Sequence, residues 1–163
     1  MIFLSLYGRE VFWIIAIILL FIIGGSSGKK TAIIMSLAII VLIPIGVIAK
    51  QVIERPRPVI PVNDFLIPAD SEFSYPSGHA LIVSAAAAVA LAVFRDSTKK
   101  LTLSLIFALE AALVCISRVY VGGHYPLDVV GGILLGVGVS FIFVWKEKEI
   151  ESGLQKIMTR IKR

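Results

Sequence analysis

SRVYVGGHYPLD, running from Ser117 to Asp128, is a short polar gap between two long apolar runs, Leu101–Ser117 and Leu127–Trp145. Apolar runs of that length joined by so few residues are helices that cross a bilayer and turn back at its surface. The gap holds Arg118, then His124 six residues later, then Asp128 four beyond that. A cation, a nucleophile or base, and a group able to orient the histidine therefore meet at a membrane edge, as they would in an active site. The other of the two histidines, His79, heads another apolar run directly behind Pro76-Ser77-Gly78.

Composition points the same way. The chain has 163 residues and is 58% hydrophobic, with a mean hydropathy of +0.95, far more apolar than a soluble domain of this size. Its net charge of +5 does not form one basic face: Lys and Arg fall in the breaks between apolar runs. That pattern reads as membrane topology, and nucleic acid is not an expected partner. The single cysteine, Cys115, lies inside an apolar run and leaves no intramolecular disulfide to form.

The pattern predicts an all-α integral membrane helical bundle, a single domain over residues 1–163. Five transmembrane helices are expected at about 8–25, 31–50, 79–95, 101–117 and 126–146, followed by an amphipathic tail helix at about 147–163. The second run, Thr31–Ala49, is about 28 Å long as a helix, enough to cross the hydrocarbon core, with a kink expected at Pro44. The first run lacks a small-residue cleavage site and is expected to be retained, with Ile2–Tyr7 extending it across Arg9 and Glu10. Gly25–Lys30 and Arg95–Lys100 read as basic turns, and residues 50–76 as a proline-rich loop whose apolar patches dip into the interface. Gly132 and Gly136 have the spacing that lets helices pack closely. Ile150, Leu154, Ile157, Met158 and Ile161 share one face of the tail, which suits an anionic membrane surface or a partner.

Charge sets the orientation. Lys29, Lys30, Arg95, Lys99, Lys100 and the basic residues of the tail fall on one side; Arg9, Lys50, Arg55, Arg57 and Arg118 fall on the other. The richer side is expected to be cytoplasmic, which puts the C-terminus inside and every polar motif at the outer face of the cell membrane. His79, Arg118 and His124 are then at one membrane level.

At that level the residue types suit phosphoryl chemistry. Lys50 and Arg57 are two helical turns apart and share a face if the second helix runs on to about Arg55; Arg55 itself reads as an ordinary interfacial cation. Ser77 reads as a helix N-cap, leaving the Gly78 and His79 N–H groups at a helix end that favours anions. Pro126 suits the first position of the last helix, which makes Tyr125 its cap and Asp128 its third residue. Asp128 then either caps its own helix or accepts the Nδ1 proton of His124 and frees Nε2 to attack. Gly122-Gly123 gives the backbone freedom to bring Arg118 and His124 around one oxyanion. Several cations and free N–H groups about a histidine match the charge on a transferring phosphoryl group. No Cys, His or acidic cluster has metal-ligand spacing, so no metal and no cofactor is expected.

Three motifs carry a resemblance. Lys50 with Arg57-Pro58 fits K-x6-R-P, residues 76–79 fit P-S-G-H, and residues 117–128 fit S-R-x5-H-x3-D. Together they resemble the signatures of the type 2 phosphatidic acid phosphatase superfamily, which also contains the vanadium haloperoxidases. The resemblance implies that His124 attacks phosphorus to form a phosphohistidine, that Asp128 orients it, and that His79 protonates the leaving group and later activates water. It implies that Lys50, Arg57, Ser77, Gly78 and Arg118 hold the phosphate. Many relatives have six helices, whereas five are counted here.

The expected function is therefore hydrolysis of a membrane lipid phosphate or diphosphate, foremost undecaprenyl or another polyprenyl diphosphate. Phosphatidylglycerol phosphate and phosphatidic acid are the alternatives. A lipid phosphotransferase and a non-enzymatic lipid-binding subunit are rivals of another class; a soluble-type vanadate peroxidase is disfavoured by the membrane spans. Oligomeric state is not encoded in these motifs. Glu110, inside the fourth helix, is expected to bond or pair with Lys50 or Ser84 rather than to act in catalysis.

Overall fold

A computed structural model describes residues 1–59, 66–67 and 72–153. Among the described residues five long helices follow one another, α1 (Ile2–Ile23), α2 (Gly25–Ile53), α3 (Gly78–Val93), α4 (Thr98–Tyr120) and α5 (Pro126–Trp145), and residues 147–153 are helical after a turn at Lys146. Among the described residues there is no strand. Helices α1, α2, α4 and α5 are long and apolar enough to cross a membrane, and the chain is a multi-pass membrane protein. At 16 residues, α3 is shorter, about 24 Å, and it begins within the Pro76–His79 motif. Residues 154–163, which include most of the expected apolar face of the tail, lie outside the described residues, as do parts of the 50–76 loop.

Helix α1 crosses Arg9 and Glu10 as expected, but through a π-helical turn over Gly8–Phe12. The expected basic turn at Gly25–Lys30 is instead the first part of α2, and the reversal is confined to Gly24 and Gly25. A β-carbon on Gly24 or Gly28 would stand 2.4 or 2.6 Å from the Leu20 carbonyl oxygen, and Gly25 has φ +64°. Only glycine permits so tight a return. Helix α2 continues through Pro44 and stops at Ile53, where Glu54 is left-handed (φ 49°). Arg57 therefore lies beyond the helix, and it reaches Lys50 by the loop rather than along a shared face. Helix α4 runs past Ser117 to Tyr120, so Arg118 sits in its last turn and not in the gap.

The core is built of Trp13 from α1, Met35 from α2, Val83 and Val89 from α3 and Phe107 and Val114 from α4. Helix α5 presses its glycine stripe onto α3. A β-carbon on Gly132 would meet the Ser77 carbonyl oxygen at 2.7 Å, and one on Gly136 the Leu81 carbonyl oxygen at 2.3 Å. The expected close-packing role of these glycines is thereby met. Farther along, Ser140 Oγ donates to the Ala85 carbonyl across the same interface at 3.0 Å. Lys30 pairs with Glu147, so the start of α2 and the end of α5 lie at one end of the bundle. The motif residues gather at the other.

Candidate active site

The α3–α5 contact starts at the site itself: the Ser77 N–H donates to the Asp128 carbonyl at 3.0 Å. Ser77 is fully buried and its Oγ accepts from the Ala80 N–H at 3.5 Å, so its visible work is the expected helix cap. Gly78 and His79 follow as the first helical residues of α3. His79 reaches the backbone of Ser5 on α1, and its charged neighbours are Arg9, Arg118 and His124.

His124 is 3% exposed. Gly122, with φ +71°, lets the chain turn after α4, and the His124 N–H closes the turn onto the Arg118 carbonyl at 3.2 Å. Its Nε2 lies 3.4 Å from Arg57 Nη1. The same Nη1 donates to the Gly123 carbonyl at 2.7 Å, and Arg57 Nε donates to the Glu72 carbonyl at 2.8 Å. Lys50, 8% exposed, donates to the Phe73 carbonyl at 2.7 Å and pairs with the Glu72 carboxylate at 3.2 Å. Residues 72–74 are thus the rail on which Lys50 and Arg57 converge, and the Ser74 N–H donating to the Arg55 carbonyl at 2.8 Å fixes it. Arg118 is 2% exposed and donates to Ser5 Oγ at 2.6 Å. A β-carbon on Gly123 would stand 3.0 Å from its Nη2, so that glycine is there for clearance.

Asp128 combines the two readings its position allowed. It caps α5, accepting the Tyr125 N–H at Oδ2 at 2.9 Å. It also faces His124 Nδ1, but at 3.6 Å, beyond hydrogen-bond length. The Ser74 hydroxyl, which donates to the same Oδ2, stands 3.5 Å from Nδ1. Contrary to the expectation of an ordinary interfacial cation, Arg55 donates to Asp128 Oδ1 at 2.8 Å and stacks over the Tyr125 ring at 4.4 Å. Arg55, Ser74 and Ser5 are site residues that the motifs do not name. Glu110 also departs from expectation: its partner is Trp13, whose Nε1 donates to it at 2.8 Å, and not Lys50 or Ser84.

Burial, with Arg57, Arg118 and Lys50 around it, pushes the His124 imidazole down to about 4 against the opposing pull of Asp128. A neutral ring is the form that can attack an electrophile. Among the described residues no three His, Cys, Asp or Glu side chains gather as a metal site would require. From this polar end a groove of about 610 Å³ runs between α1, α2 and α3. Arg9, Lys50, Glu72 and Gly78 line its mouth, and its walls are apolar side chains such as Ile14, Ile40 and Val47.

Comparison with known proteins agrees with this arrangement. The chain is 41% identical to an undecaprenyl-diphosphatase of Sulfolobus acidocaldarius over 95% of its own length and 75% of that protein's. It is 38% identical to human sphingosine-1-phosphate phosphatase 2 over 56% of its length, which is 24% of that longer protein. Its fold matches the crystal structure of a transmembrane PAP2-type phosphatidylglycerolphosphate phosphatase from Bacillus subtilis, with a TM-score of 0.66 and 26% identity over 90% of this chain and 74% of that one. Residues 30–151, which carry all three motifs, match the PAP2 superfamily as a whole. With the motif residues converged on one buried histidine and the match spanning most of its length, the chain belongs to the PAP2 superfamily of phosphatases.

Proposed function

We propose that the protein is a membrane lipid phosphatase that hydrolyses a polyprenyl diphosphate of the undecaprenyl class, acting at the outer face of the cell membrane. The observation that carries this reading is the groove: Arg9, Lys50 and Gly78, the residue directly before His79, line its mouth, and its body is apolar and open between helices. From Ser36 to Lys50 the groove follows about 21 Å of α2, a length suited to a chain lying in the bilayer while its phosphates reach the site. The 41% identity to an undecaprenyl-diphosphatase supports the diphosphate. The likeness to a phosphatidylglycerolphosphate phosphatase supports a phosphomonoester as the second reading.

In the proposed mechanism Lys50, Arg57 and Arg118 bind the terminal phosphate, joined by the Gly78 N–H and the Ser77 hydroxyl, the Ser77 N–H being taken by the Asp128 carbonyl. Neutral His124 attacks phosphorus through Nε2, and the cations offset the charge that spreads over the equatorial oxygens. His79 gives its proton to the departing oxygen and then, as base, takes one from the water that cleaves the phosphohistidine. Asp128, held by Arg55 and Ser74, stabilises the charged His124 ring from the Nδ1 side.

Inorganic phosphate release by the purified protein tests the reading, with EDTA present and undecaprenyl diphosphate, phosphatidylglycerol phosphate and phosphatidic acid as substrates. Release by the wild type and not by His124→Ala is expected, fastest on the diphosphate. Transfer of the phosphoryl group to an added lipid alcohol in place of release would make the protein a transferase. Silence of the folded wild type on every lipid would make it a binding subunit.

A further inference from the structure

Arg9 belongs to none of the three motifs, yet it stands in the site. Its Nη1 lies 3.5 Å from where a β-carbon on Gly78 would be, at the first turn of α3. It is one of the charged neighbours of His79, with Arg118 and His124. The π-helical turn of α1 contains it, and it lines the mouth of the groove beside Lys50 and Gly78. The other cations have different neighbours: Arg57 approaches His124 Nε2, and Arg118 is sealed against Ser5. Arg9, with its side chain 29% exposed, lines the open groove, and among the described residues its side-chain partner is its neighbour Glu10, to which its Nε donates at 2.7 Å. Position therefore divides the cations: Arg57 and Lys50 stand beside the nucleophile, Arg118 stands by both histidines, and Arg9 stands by the acid that serves the leaving group and not by the nucleophile.

That division has a chemical meaning, given the phosphatase reading on which it rests. When His124 Nε2 bonds to the terminal phosphorus of a diphosphate, the bond from phosphorus to the bridging oxygen breaks. Its electron pair stays on that oxygen, which departs as part of a lipid monophosphate still carrying negative charge. When the substrate is a monophosphate, the departing oxygen is an alkoxide that becomes a neutral alcohol once His79 protonates it. A cation beside His79 discriminates between these two, because only the first leaving group is an anion after protonation. We infer that Arg9 binds the non-transferred phosphate of a lipid diphosphate and sets the preference for diphosphates over monophosphates, with Glu10 as the group it exchanges for that phosphate.

Farnesyl diphosphate and farnesyl monophosphate, which share one tail, test this with the full-length protein in detergent. Arg9→Gln is expected to lower kcat/KM for the diphosphate by about tenfold or more, the loss of one charge-assisted hydrogen bond, with less than about threefold change for the monophosphate. Arg9→Lys should recover part of the diphosphate rate. Glu10→Gln, which keeps Arg9 and removes its competitor, should raise the ratio of diphosphate to monophosphate turnover, and this variant decides the matter if Arg9→Gln does not fold. Equal losses on both substrates in folded Arg9→Gln, or an unchanged ratio in Glu10→Gln, would overturn the role of Arg9 while leaving the phosphatase reading intact. A wild type inactive on both substrates would overturn both.

Discussion

Asp128 is fully buried, and three groups hold its carboxylate: Arg55, Ser74 and the Tyr125 N–H. Removing one partner of a buried carboxylate leaves charge that water cannot reach, and the remaining partners must shift to cover it. Arg55→Leu is therefore expected to lower kcat by about tenfold to a hundredfold with KM little changed, as steady-state kinetics would read, because a hydrogen bond to a charged group contributes about 1.5–3 kcal/mol. Arg55→Lys should recover only part, lacking the planar stack on Tyr125. The pH dependence follows from His124. Its value of about 4 lies below the ordinary 6.5, so the ring is neutral and competent above about 4, and activity is lost as pH falls through that value. The chain has two histidines, so in His79→Ala one imidazole NMR signal remains and its titration reads His124 directly; a midpoint at 6 or above would contradict the assignment. The motifs name the proposed nucleophile, acid and orienting group, His124, His79 and Asp128, because those roles need particular residue types at particular spacings. They did not name Arg55, Ser74 or Ser5. A surface arginine and two serines carry no distinguishing signal until the fold brings Asp128, His124 and Arg118 against them.

Elements deliver these residues through close backbone approach. Helix α5 can lie on α3 only because Gly132 and Gly136 present no side chain there, and the first turn of that contact holds Ser77 against Asp128. Gly136→Leu would drive a side chain into the Leu81 carbonyl and Ser84 Oγ, at 2.3 and 2.4 Å from its first carbon. Overpacking of this kind costs about 1–3 kcal/mol or more, and a lower midpoint of thermal unfolding in detergent, with loss of activity, is the expected readout. The π turn of α1 depends on glycine in the same way: a β-carbon on Gly8 would stand 2.5 Å from Val114 Cγ2 and 3.1 Å from Glu110 Oε1. That helix pair was not legible. Trp13 and Glu110 are 97 residues apart, and nothing local marks them as partners. The glycine stripe was legible because its spacing is itself the signal. Helix ends were read less well, since the apolar run ends at Ser117 whereas the backbone keeps its helix to Tyr120, two residues before the left-handed Gly122.

At the scale of the molecule, hydropathy displayed the five helices and motif order displayed the superfamily, while the groove between α1, α2 and α3 exists only once the helices pack. The proposed orientation is open to direct test. Val59 is 98% exposed beside the site, and Ser152 is exposed at the other end of the chain. In a Cys115→Ser background, a membrane-impermeant maleimide should label Val59→Cys in intact cells and Ser152→Cys only after lysis; the reverse pattern would turn the site inward. The central claim, that His124 carries the phosphoryl group, is tested most directly by rapid quenching with a lipid diphosphate labelled at its terminal phosphorus. The account predicts an alkali-stable, acid-labile label that maps to His124 and is absent from His124→Ala. Phosphate release at the wild-type rate from His124→Ala, or a label on any other residue, would contradict it.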